Sequence, residues 1–163
     1  MAQVFIGMGS SIDKQYNIQQ GLLQLQQHFG ELTVSSVFES EAVGFTGNNF
    51  YNLVVAVNTQ ACVEAVMSTL KDIEFAFGRP KKTIKFAPRN LDLDILLYDQ
   101  LVNKSLNIPR AEIIENAFVL QPLAELAPDR LHPYLGVNYQ SLWQAYPKNK
   151  QKLWQITLPF VHK

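Results

Sequence analysis

Asp92 and Asp94 stand two residues apart in the run Leu91–Tyr98, LDLDILLY, which reads as a strand. Alternate residues of a strand share a face, so both carboxylates project the same way, about 6–7 Å apart along the chain. Leu91, Leu93 and Ile95 project from the other face. Paired like charges are unfavourable unless something positive sits beside them. Hard divalent cations such as Mg²⁺ take carboxylate oxygens and complete their shell with phosphate and water. Two such ions can be bridged by facing carboxylates and can clamp a phosphoryl group.

Directly before the carboxylates lies Arg79–Arg89, RPKKTIKFAPR. It holds Arg79, Lys81, Lys82, Lys85 and Arg89 and no acidic residue, five of the chain's fourteen basic groups. Pro80 and Pro88 exclude a regular helix. Alone, the run reads as a solvated charged loop, and the two aspartates as partners of nearby Lys or Arg. A Mg²⁺-polyphosphate satisfies both at once: carboxylates hold metal, and lysines and arginines hold phosphate oxygens.

Other candidates are weaker. There is no G-x-x-x-x-G-K-[ST] run. Gly7-Met8-Gly9-Ser10-Ser11 lacks the third glycine of a dinucleotide fingerprint and reads as a tight turn before a helix. His28, His132 and His162 have no metal-ligand spacing and read as surface or cap residues. Cys62, the single cysteine, has no C-x-x-C partner and reads as a core thiol. Phe50, Tyr51 and Asn52 alternate faces, so Tyr51 opposes its neighbours; with Phe86 and Phe118 they could supply stacking faces, and Asn52 an edge-reading amide.

The elements that must position these groups follow from periodicity. Residues 3–8 predict a strand. Ile18, Leu22, Leu25 and Phe29 predict a helix with Asp13 as N-cap and Gly30 at its end. Residues 32–42 and 50–58 predict strands separated by the loop Val43–Asn49. Val63, Val66, Leu70, Ile73 and Phe77 predict a second helix closed by Gly78, before the strand at 91–98. The order β-α-β-β-α-β predicts an α+β, ferredoxin-like core: an antiparallel sheet with both helices on one face. C-terminal additions include short helices near 116–127 and 140–146.

The 163 residues fit one domain spanning 1–163. With 47% hydrophobic and 17% charged residues the chain can bury a core, which excludes disorder. Fourteen basic against fourteen acidic groups argue against a general nucleic-acid or membrane-surface binder. No signal peptide or membrane span is evident, so a reducing compartment, most simply the cytoplasm, is expected. No obligatory protein partner is evident.

The run Ala87–Asp99, APRNLDLDILLYD, resembles the signature of the 6-hydroxymethyl-7,8-dihydropterin pyrophosphokinase (HPPK) family of folate biosynthesis. GMGSS, VSSVFES, FYNLVVAV, IEFAFGRP and IPR…AFVLQPLAELAPD match in order, to about residue 130. The resemblance implies a cytoplasmic enzyme that transfers pyrophosphate from ATP to the hydroxymethyl oxygen of the pterin, releasing AMP. It implies that Asp92 and Asp94 hold two Mg²⁺ ions, and that Arg79, Arg89 and Asp94 serve catalysis. ATP contacts would come from Lys71, Glu74, Lys81, Lys85, Arg89, Ile95 and Arg110. Ser40, Val43, Tyr51, Asn52 and Phe118 would form the pterin pocket. The chain departs from the family pattern at Ser11, Phe86, Ala87, Arg110, Ala111 and Asn116, mostly on the nucleotide side. A divergent paralogue with another pterin, or with lost activity, is the alternative within the fold. An RNA-binding ferredoxin-like module ranks far below, because the RNP-type aromatic run is missing.

Overall fold

The β-branched run of β4 (Phe50–Thr59) is buried on both faces from Asn52 to Val57, which requires a covering layer on each side. The computed structural model describes residues 1–42, 47–78 and 90–160. Strand β4 pairs antiparallel with β1 (Ala2–Ser10), and β1 with β5 (Asp92–Tyr98). Beyond β4 lie β3 (Val37–Ser40), which also pairs antiparallel with it, and then β6 (Leu153–Ile156); the two-residue β2 (Thr33–Val34) pairs with β4 as well. The order β5-β1-β4-β3-β6 is a ferredoxin-like sheet with one strand added at an edge.

Helices α1 (Lys14–Phe29) and α2 (Val63–Ala76) cover one face, as the periodicity predicts. Ile18, Leu25, Val66, Leu70 and Ile73 pack there with Val4, Ile6, Met8, Val55, Leu93 and Ile95. The other face carries Phe5, Val54 and Leu96 against α3 (Glu112–Glu115), α4 (Ala117–Leu126) and α5 (Tyr139–Ala145). The C-terminal additions thus form a third layer. Among the described residues no helix is long and apolar enough to cross a membrane.

Several local expectations give way. The Gly7–Ser10 stretch is strand rather than turn: β1 pairs with β4 as far as Ser10 and with β5 as far as Gly9. The strand expected over 32–42 breaks at Ser35 and Ser36. The Ser35 hydroxyl accepts from Val54 N–H at 2.9 Å, so a side chain replaces a ladder bond. Asp13 takes the N-cap position of α1 in a left-handed conformation (φ 43°) without a side-chain capping bond. Gly30 ends that helix at φ 82°. Strand β6 lacks an alternating apolar pattern and is not foreseen.

Candidate active site

A cavity of about 270 Å³ opens on the α4 side of the sheet, where the ends of β1, β4 and β5 meet the start of α4. Strand alternation decides what reaches it. On β1, Val4, Ile6 and Met8 belong to the core on the α1/α2 side, which leaves Gly7 and Gly9 on the cavity side. On β5, Leu91, Leu93 and Ile95 face that same core, which leaves Asp92 and Asp94 lining the cavity. Gly9 pairs with Asn52 on one side and Asp92 on the other; Gly7 pairs with Val54 and Asp94.

The glycines keep this floor open. A Cβ on Gly9 would lie 2.7 Å from Asn52 Oδ1, and one on Gly7 would lie 3.2 Å from the Leu96 side chain. Glycine inside a strand marks such a close approach. The buried Asn52 amide donates to Ser40 Oγ at 3.3 Å, which joins β4 to β3 across the cavity wall. Phe50 lines the cavity from β4, and Phe118, Val119 and Asn116 from the start of α4. Arg110 places Nη2 3.5 Å from Asp94 Oδ1, and its Nε pairs with Glu112.

Beta5 enters the site under restraint from behind. Ser10 Oγ donates to Asn90 O at 2.6 Å, and Asn90 Nδ2 donates to Phe77 O at 2.6 Å. Glu74, only 6% exposed, accepts the Leu93 N–H at 2.8 Å. That carboxylate anchors the strand residue between the two aspartates.

Ser40, Asn52, Asp92, Asp94, Arg110 and Phe118 therefore come together as the sequence predicts. Tyr51 does not. It faces the α1/α2 side and packs against that core, with Lys14 Nζ 4.8 Å from its ring centroid. Phe50 takes the wall position instead, because it shares parity with Asn52. Lys71 is exposed on α2, and Glu74 and Ile95 are buried outside the cavity. Val43, Arg79, Lys81, Lys85, Phe86 and Arg89 lie outside the described residues.

Two further expectations are corrected. Cys62 is exposed at the N-terminus of α2 rather than in the core. His132 is buried, accepts from Leu135 N–H at Nδ1 over 3.3 Å, and meets Tyr134 edge-on.

Gly7, Gly9, Glu41, Glu112 and Asn116 also line the cavity, though the sequence does not mark them as site residues, and Phe50, one of the candidate stacking rings, lines it outside the set that the family resemblance implies. Strand parity was the signal available for Phe50. For Glu41 and Glu112 no local signal exists.

The donor set bears on a metal. Among the described residues no three His, Cys, Asp or Glu side chains converge as a metal cluster. Two carboxylates on alternate positions of one strand suit a hard cation that draws its remaining ligands from phosphate and water.

The family model for 7,8-dihydro-6-hydroxymethylpterin-pyrophosphokinase matches residues 5–128. A 2-amino-4-hydroxy-6-hydroxymethyldihydropteridine pyrophosphokinase of Aquifex aeolicus is 34% identical over 156 residues, 93% of this chain and 95% of that protein. A folic acid synthesis protein of Schizosaccharomyces pombe is 36% identical over 150 residues, 88% of this chain but only 20% of that longer protein. The fold matches a crystal structure of HPPK-DHPS in complex with substrates at a TM-score of 0.73 and 12% identity, covering 91% of this chain and 46% of that one. Family match, near full-length relative and fold agree with the carboxylate-and-aromatic cavity: the chain belongs to the 7,8-dihydro-6-hydroxymethylpterin-pyrophosphokinase family and is a pyrophosphokinase of folate biosynthesis.

Proposed function

We propose that the chain transfers the pyrophosphoryl group of ATP to the hydroxymethyl oxygen of 6-hydroxymethyl-7,8-dihydropterin, with Mg²⁺ required and AMP released. The observation that carries this reading is one cavity shared by two aromatic rings, Phe50 and Phe118, an edge-reading amide, Asn52, and two carboxylates, Asp92 and Asp94. A flat heterocycle needs the first three, and a metal-bound polyphosphate needs the last two.

In this reaction the hydroxymethyl oxygen bonds to the β-phosphorus as the bond from that phosphorus to the α-phosphate's bridging oxygen breaks. The hydroxyl proton passes to Asp94 or to water. Such transfer asks for alignment and charge neutralisation more than for a covalent nucleophile. Asp92 and Asp94 would hold Mg²⁺, which when bound offsets phosphate charge and acidifies the hydroxyl. Arg79 and Arg89 steady the transferring group, and Lys71, Glu74, Lys81, Lys85 and Ile95 belong to the nucleotide side. Arg110 already sits beside Asp94, within reach of a phosphate bound there. Ser40 and Val43 complete the pterin side.

The test is AMP formation from ATP, Mg²⁺ and hydroxymethyldihydropterin by the purified chain, with Asp94→Asn beside it. The variant should lose about 10²-fold or more in kcat, the scale of removing one charge-stabilising group. Normal turnover by Asp94→Asn, or no AMP from the wild type, overturns the reading.

A further inference from the structure

Residues 146–156 touch both sides of the cavity without lining it. At one end the Tyr146 hydroxyl donates to Glu115 O at 2.8 Å. Gln151 then makes two bonds of 2.8 Å: Oε1 accepts the Ala117 N–H in the first turn of α4, and Nε2 donates to Asn116 Oδ1. Asn116 makes no side-chain capping bond to α4. Gln151 supplies from a distant segment the acceptor that a capping side chain ordinarily gives.

At the other end β6 pairs with β3, Leu153 opposite Ser40 and Trp154 opposite Glu39. Trp154 Nε1 donates to Glu39 Oε1 at 3.2 Å, and Glu39 Oε2 accepts from Asn49 Nδ2 at 3.2 Å. Asn49 immediately precedes Phe50. One short segment therefore reaches the neighbour of each aromatic wall: Ala117, before Phe118, directly through Gln151, and Asn49, before Phe50, by way of Glu39.

We infer that Gln151 and Trp154 are positioning residues for the ring pocket, and that segment 146–156 straps its two walls at a set separation. A flat ring held between two faces needs them about 7 Å apart, twice the carbon contact distance, and small departures forfeit much of the attraction. With Oδ1 engaged by Gln151, the Asn116 amide is oriented to offer its Nδ2 hydrogens to an acceptor on the bound substrate. The assignment rests on the proposed function for the identity of the ring.

Two variants separate positioning from bulk stability. Gln151→Glu keeps an acceptor for Ala117 N–H but removes the donor to Asn116 Oδ1. Trp154→Phe keeps apolar bulk and removes the indole N–H. The readouts are Kd for 6-hydroxymethylpterin with a non-hydrolysable ATP analogue present, Kd for the analogue alone, and thermal melting. Each variant should raise the pterin Kd about three- to tenfold, the worth of one hydrogen bond, with nucleotide affinity and melting close to wild type. An unchanged pterin Kd in the double variant overturns the inference. So does a parallel loss of both affinities with a lowered melting temperature, which marks a merely structural strap.

Failure of the wild type to bind pterin would instead sink the functional reading. The strap is then judged without ligand, by hydrogen exchange of the Ala117 amide and the Trp154 indole. Protection in the wild type, lost at Ala117 in Gln151→Ala, supports it; rapid exchange of both in the wild type overturns it.

Discussion

Gly9 carries the sharpest constraint on a single residue. Its neighbours across the sheet are Asn52 and Asp92, one from each half of the site. Gly9→Ala would put a methyl group 2.7 Å from Asn52 Oδ1, so either the amide or the strand must shift. Overpacking of this kind costs about 1–3 kcal/mol, read by urea denaturation. The same shift should raise the pterin KM, because Asn52 leaves Ser40. Phe50 and Tyr51 make a second comparison. Phe50→Ala should raise the pterin KM about two- to tenfold, the range of one aromatic contact. Tyr51→Ala should leave that KM nearly unchanged while loosening the α1 side. Equal effects on KM would show that strand parity does not decide the pocket.

Between elements, the joint between α2 and β5 positions the carboxylate pair. The Glu74 carboxylate, buried in α2, takes the N–H of Leu93, the residue between Asp92 and Asp94. Removing an acceptor leaves that N–H buried and unpaired, so Glu74→Ala should destabilise by about 1–3 kcal/mol. Glu74→Gln retains an acceptor oxygen and should recover much of the loss, as equilibrium denaturation would show. If both variants match wild type, the joint does not hold β5. Helix α4 presents a contrasting case. Its first turn carries Phe118, yet its amide partner comes from Gln151, more than thirty residues along the chain. The periodicity of α4 locates the helix, but nothing local in it names that partner.

Across the whole molecule, the layer over the second face of the sheet holds described groups whose titration links to stability: burial shifts His132, Tyr139 and Tyr146. Burial lowers the pKa of His132 from its ordinary 6.5, and Nδ1 already accepts a backbone N–H, which protonation would oppose. The unfolded chain then binds this proton more tightly than the folded one. Stability contributed by His132 is present above about pH 6.5 and is lost as pH falls through the lowered folded value. Burial acts oppositely on Tyr139, raising its phenol above the ordinary 10.0 against the opposing pull of Arg130. The unfolded chain releases that proton first, so stability falls as pH rises above about 10. The Tyr139 hydroxyl is buried without a hydrogen-bond partner. Tyr139→Phe should therefore be at least as stable at pH 7 and should lessen the alkaline decline, to which Tyr146, also raised by burial, still contributes, and His132→Gln should lessen the acid one. Denaturation midpoints at pH 5.5, 7.5 and 10.5 check both; a Tyr139→Phe chain clearly weaker at neutral pH would contradict the argument.

The sequence by itself determined the α+β order, the two helices on one face, and the carboxylate pair with its facing. These are local properties: apolar spacing of 3.6 or 2 and the alternation of one strand. Its resemblance to the pyrophosphokinase family named the chemistry before any cavity was visible. Only the tertiary structure decided that Gly7 and Gly9 are floor rather than turn, that Phe50 and not Tyr51 makes the wall, and that His132 is buried while Cys62 is exposed. It alone brought Gln151 and Trp154 to the two sides of the site. Phe50 shares the parity of Asn52 on its own strand, and the structure decided only which face of that strand meets the cavity; the others depend on which strand or helix lies opposite, a long-range pairing that no residue's own neighbours encode.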